Sequence, residues 1–117
     1  VSITSSKFVT HDGGLWVFRQ ENPDDDLFST IQIGSNVFIG MDCIIMPGTV
    51  IEDNVVIGAG SIVKGYFKSN YVYAGVPAKK IKTLSDYKES ITSQVVLTKS
   101  MKPKDKKNYL EKKFKLK

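Results

Sequence analysis

The stretch IGSNVF-IGMDCI-IMPGTV-IEDNVV-IGAGSI-VKGYFK, residues 33–68, decides the fold. Every sixth residue, from Ile33 through Ile39, Ile45, Ile51 and Ile57 to Val63, is a β-branched aliphatic. Four places after each stands Val37, Cys43, Thr49, Val55, Ser61 or Phe67, mostly small or β-branched. A helix repeats every 3.6 residues and a strand every 2, so neither alone gives a period of six. Gly and Asn between the aliphatics tolerate the positive φ of tight corners, and they would interrupt long helices. The pattern predicts short strands joined by corners, with the aliphatic pointing inward and the small residue filling the crowded corner. Three hexapeptides then make one triangular coil, and the same position recurs every 18 residues. The alternative, a β-sandwich with coincidental isoleucine spacing, does not account for six consecutive matches.

Stepping back from Ile33, the period fails between His11 and Thr30 and resumes at Val9 and Ile3. Residues 12–30 are therefore expected to leave the coil as a loop. Downstream, an irregular turn is expected over Gly65–Asn70, then an extended YVYAG, with Pro77 closing the repeats. Ser85 is a candidate helix cap, with Asp86 and Glu89 near the positive end and Leu84, Tyr87, Ile91 and Val95 on one face. A second helix is expected from Pro103 to Phe114, with Tyr109, Leu110 and Phe114 as its apolar contacts. Two units follow: residues 1–84, the coil, and residues 85–117, a helical extension.

The composition, 41% hydrophobic and 25% charged, is that of an ordinary globular chain. It contains no apolar run of about 18 residues, so no transmembrane helix is expected. The single cysteine, Cys43, excludes an internal disulfide and fits a reducing, cytoplasmic setting. Its place in the period predicts an inward corner residue rather than a nucleophile. The net charge of +5 is uneven: Lys99–Lys117 carry +7 and residues 1–98 carry −2. A basic tail of this kind is either the solvated face of a helix or an attractor of anionic partners, nucleic acid or membrane.

The hexapeptide run and the ending YAGVPAKKIK, residues 73–82, resemble those of the hexapeptide-repeat acyltransferases. The similarity covers roughly Val1 to Leu84 and is nearest to O-acetyltransferases of the maltose, galactoside and capsular-polysaccharide type. It implies an all-β, left-handed parallel β-helix with a short helical tail. The left hand comes from the resemblance and departs from the usual right-handed crossover rule. The family has further repeats and often a helical segment ahead of the first, so the opening at Val1 rather than Met suggests a part of a longer unit.

The resemblance further implies a homotrimer, acetyl-CoA as donor, no metal, no nucleic-acid partner and a sugar hydroxyl as acceptor. It makes His11 the general base, at a site shared between subunits. Imidazole suits that task because its pKa lies near neutrality. The donor contacts carry over to Met41, Ala59 and Lys64, with Phe38 in the place of a family aromatic. Lys64, Lys79, Lys80 and Lys82 are candidates for the nucleotide phosphates. Lys64-Gly65 stands where relatives often read Thr-Lys. On the loop, Trp16, with Phe18, offers a flat surface for a sugar ring or the pantetheine arm, Arg19 suits an oxyanion, and Asp12 stands next to His11. The competing readings are N-acetylation of an amino or nucleotide sugar, and a non-catalytic scaffold on the same fold. A three-histidine zinc enzyme does not fit a chain with one histidine.

Overall fold

A computed structural model describes residues 1–115. Eleven strands form three faces. The first face stacks β1 (Ser2–Ile3), β4 (Val37–Ile39), β7 (Val55–Ile57), β10 (Tyr71–Gly75) and β11 (Ala78–Thr83). The second stacks β2 (Lys7–Phe8), β5 (Ile44–Ile45) and β8 (Ile62–Val63), and the third β3 (Gln32–Ile33), β6 (Val50–Ile51) and β9 (Tyr66–Phe67). All pairings are parallel except the final β10–β11 hairpin. The chain thus visits the faces in rotation, as a three-sided parallel coil. A helix α1 (Leu84–Ile91) and a second helix α2 (Pro103–Lys113) follow.

The period of six survives as packing. Ile39, Ile45, Ile51, Ile57 and Val63 form the axial core, and Val37, Cys43, Thr49, Val55, Ser61 and Phe67 are buried with them. The polar corner residues are satisfied internally, as buried hydroxyls must be. Thr49 donates to Met46 O at 2.7 Å, Ser61 donates to Gly58 O at 2.7 Å, and the Cys43 thiol donates to Gly58 O at 3.2 Å. Asn36, Asn54 and Asn70 take positive φ at the corner between the third and first faces, and Asn36 Nδ2 donates to Asn54 Oδ1 at 2.7 Å. Gly40 is required by close stacking: a Cβ there would lie 2.5 Å from the Ala59 nitrogen of the next coil.

Several expectations need correction. The residue in register with Ile45 is Phe8, not Val9, because the corner after Ile3 is one residue shorter than the corner after Ile39. The supposed irregular turn contains strand β9, in register on β6. That coil closes in 16 residues, Tyr66 pairing with Val50 and Tyr71 with Val55, because Lys64-Gly65 makes its corner in fewer residues than Met46–Thr49. Tyr73 then closes the core, edge-on to Phe67 at 4.8 Å and donating to Lys68 O at 3.0 Å. Pro77 lies in the hairpin turn after β10, following a cis peptide bond.

Thr83, not Ser85, caps α1: its Oγ1 accepts the Asp86 N–H at 3.0 Å. Leu84, Tyr87 and Ile91 are half-buried on α1, but Val95 falls beyond its end and is exposed. Helix α2 ends at Lys113, and Tyr109 and Phe114 are exposed rather than packed on the coil.

Candidate active site

The loop leaves and rejoins the coil at one corner, between the second and third faces. Its base is closed by Ser29 N–H to Thr10 O and Asp12 N–H to Leu27 O, both 2.8 Å, with an antiparallel bridge between His11 and Phe28. His11 therefore stands on a hydrogen-bonded stem. Its ring lies 6.2 Å from that of Phe28, tilted by 52°. Beside it opens a cavity of about 430 Å³ lined by Val9, His11, Asp12, Gly13, Leu27, Ser29, Met46, Pro47 and Lys64. His11 is exposed, and among the described residues its imidazole has no hydrogen-bond partner.

Asp12 does not orient that imidazole. Its Oδ1 accepts the Gly14 N–H at 2.9 Å and so caps the 3₁₀ turn Gly13–Phe18. Adjacent side chains diverge, and a short carboxylate is well placed for a free turn N–H. Trp16 (65% exposed) and Arg19 form a unit away from the cavity. The guanidinium carbon lies 3.4 Å over the indole, and Arg19 also donates to Trp16 O at 3.1 Å. Phe18 is exposed as well.

The remaining candidates divide between corners and faces. Met41 and Ala59 stack at the corner between the first and second faces, tied by Gly60 N–H to Met41 O at 2.9 Å. The Val76–Pro77 turn continues that corner, since Gly75 N–H reaches the Ser61 hydroxyl at 3.1 Å. Lys79 pairs with Ala74 next to the turn. Lys82 pairs with Val72 farther along β11, and Lys80 rests over the Tyr71 ring at 3.8 Å. Lys64 lies instead at the His11 corner, so the four lysines do not converge in one chain. Phe38 points outward on the first face, half-exposed. Cys43 is inward and buried, as its place in the period predicts.

Ser29, Met46 and Pro47 line the cavity without having been singled out in the sequence. Met46 and Pro47 occupy the corner one coil on from the loop stem, a placement that only the true return point of the loop reveals.

At the third corner, Tyr66 donates to Glu52 Oε2 and Ser69 N–H donates to Oε1 at 2.8 Å. The Tyr66 hydroxyl first, and then the Ser69 amide, hold the Glu52 carboxyl below its ordinary value of 4.5, and Glu52 pushes Tyr66 above 10.0. The depressed Glu52 adds stability above its unfolded value and loses it as pH falls through the folded value. The raised Tyr66 adds stability below its unfolded value and loses it as pH rises through the folded one. We expect the urea midpoints of wild type and Glu52→Gln to lie closest in strong acid and to separate as pH climbs through 4.5. Equal separation at every pH would remove the linkage.

The three-sided coil of hexapeptides defines a class, and the similarity to known proteins shows that this chain belongs to it: the hexapeptide-repeat transferases. Residues 30–65 match the family Bacterial transferase hexapeptide (six repeats). Protein CapG of Staphylococcus aureus is 49% identical over 116 residues, 98% of this chain and 67% of its own length. The solved maltose O-acetyltransferase from Clostridium difficile 630 superposes with a TM-score of 0.57 at 39% identity, over 67% of this chain and 41% of its own. A galactoside acetyltransferase in complex with coenzyme A gives 0.60 at 35% identity, over 73% and 42%. The chain thus spans about two thirds of CapG and less than half of these two structures.

Proposed function

We propose that this chain transfers an acetyl group from acetyl-CoA to a hydroxyl of a sugar or polysaccharide precursor. The observation that carries the reading is His11, held on a closed stem beside a cavity that Lys64 also lines. A neutral imidazole nitrogen takes the acceptor hydroxyl proton as that oxygen attacks the thioester carbonyl. The tetrahedral intermediate then collapses, the C–S bond breaks, and the imidazolium returns its proton to the departing thiolate. The acetyl ester and free coenzyme A are the products.

The donor arm is assigned to the corner of Met41 and Ala59, where backbone groups of successive coils stand in a row, with Lys79 toward the nucleotide phosphates. That corner and the His11 corner are separated by the whole second face. This separation supports a homotrimer in which one copy supplies the base and its neighbour the donor groove. Trp16 with Arg19 stacked on it lies outside the His11 cavity of its own chain and is assigned to the acceptor only where a neighbouring copy closes the site, and Lys64 is assigned to either substrate's anionic groups. The 1–84 coil is taken as the catalytic unit, wound left-handed as in the family, working in the cytoplasm. No helix among the described residues is long and apolar enough to cross a membrane.

The test is thiol release from acetyl-CoA with a panel of sugars and amino sugars, followed by mild alkali on the product. We expect an alkali-labile ester. An alkali-stable amide would convert the reading to N-acetylation, and no acceptor-dependent release would leave the scaffold reading in force.

A further inference from the structure

The tail is the feature that acetyl transfer leaves unused. From Lys99 to Lys115 there are eight lysines against Asp105 and Glu111. Helix α2 has no substantial packing partner among the described elements, and all its residues but Leu110 and Glu111 are exposed. One ion pair is formed within it, Lys107 to Glu111 at 3.9 Å on the surface, which leaves the other lysines free to act outward.

Along this mostly charged helix runs one narrow apolar line. Pro103, Leu110 and Phe114 stand seven and four residues apart, which puts them on one stripe at helical spacing. Lys106, Lys107 and Lys113 border that stripe on both sides. Met101 adds to its open end, and with Pro103 and Leu110 it lines a depression shared with Lys99, Lys106, Lys107 and one carboxylate, Glu111, which is paired with Lys107. Phe114, at the far end, is 58% exposed.

We propose that residues 99–115 form an interfacial anchor that lays α2 on an anionic lipid surface. Lysines bordering an apolar stripe can lie along it and lift their ammonium groups to phosphate level while Leu110 and Phe114 enter the acyl boundary. The charge complementarity comes from the lysines that flank the stripe, Lys106, Lys107 and Lys113, with Lys99 at its open end, while Lys112 lies on the opposite side of the helix. Nucleic acid would neutralise the same lysines but would leave Met101, Leu110 and Phe114 against phosphate or water. The stripe is short, so the attachment is weak and reversible, and it depends on both charge and insertion. The inference does not depend on the catalytic assignment.

Co-sedimentation of the whole chain with vesicles tests it. Vesicles of phosphatidylglycerol and phosphatidylcholine at about 3:7 should retain at least about tenfold more protein than phosphatidylcholine alone, with salt reversing the binding. Lys106→Glu/Lys107→Glu/Lys113→Glu should abolish retention. Leu110→Ser/Phe114→Ser keeps every charge and should still lower it several-fold. Both variants should melt with the wild-type midpoint, because α2 contributes little to the coil. Failure to bind the anionic vesicles overturns the proposal. So does unchanged binding by Leu110→Ser/Phe114→Ser together with equal affinity for a duplex oligonucleotide, which would make the tail a bare polycation. Charge-dependent self-association in place of vesicle binding, through Glu21 and Asp24–Asp26 of a second copy, would overturn it too.

Discussion

Replacing His11 by alanine is expected to lower acetyl transfer by roughly 10²–10⁴-fold, the usual loss when a positioned base is removed. The change should leave the fold intact, because the stem beneath His11 is closed by the backbones of Thr10, Asp12, Leu27 and Ser29 rather than by its ring. The loss should fall on kcat with little change in the KM for acetyl-CoA, since the donor groove is assigned to another corner. Turnover within threefold of wild type, on the order of 0.6 kcal/mol, would remove His11 from the chemistry. A mixing experiment sharpens the test. Ala59→Glu places a charged side chain in the donor corner and should also inactivate. An equal mixture of the two inactive chains, reassembled together, should regain about a quarter of wild-type activity if each site draws on two copies. If both functions come from a single chain, the mixture stays dead.

The second large effect is structural. Ile57→Ala should destabilise the coil by about 3–4 kcal/mol, within the range for fully buried isoleucine. Ile57 is 0% exposed, with Ile39 stacked in register on one side and Tyr73 on the other. A solenoid relaxes poorly around such a hole, because each coil is held in register by the strands above and below it. A total stability of about 5–15 kcal/mol makes this a large fraction. Ile3→Ala occupies the same column but is 39% exposed on the outer coil. It should cost no more than about 1 kcal/mol. Chemical denaturation of the two variants checks the contrast, and equal losses would contradict the axial core described above.

The fold was legible because its physics repeats. One environment, an inward aliphatic beside a crowded corner, recurs from Ile33 to Val63, and each recurrence restates the last. Where the environment changes, the reading slipped. Lys64-Gly65 shortens a corner, yet nothing local marks which residues the coil omits. Phe8 and Val9 are both apolar, and only the length of the corner after Ile3 decides between them. The site was harder to read for a related reason. A sequence gives the order of corners but not which of them meet, so Lys64 is grouped in the sequence with lysines it does not approach in the fold. Sequence adjacency of Asp12 to His11 leaves the role of the carboxylate open, and the turn N–H of Gly14 is what takes it up. Thr83 was passed over for Ser85 because both hydroxyls suit a cap, and the end of β11 alone selects the first.

The hairpin at the end of the first face has one more consequence. A stack of parallel coils is open-ended in principle: its last strands offer backbone groups to any extended segment, and the same repeat in another molecule could continue the pile as a fibre does. Here β10 folds back into β11, and the outermost edge of that face becomes a reversed strand bearing Lys79, Lys80 and Lys82, with Ile81 as the unpaired residue of a bulge. Reversed direction, like charge and a kinked edge each discourage accretion. On this face the hairpin is thus a terminator of the repeating pattern.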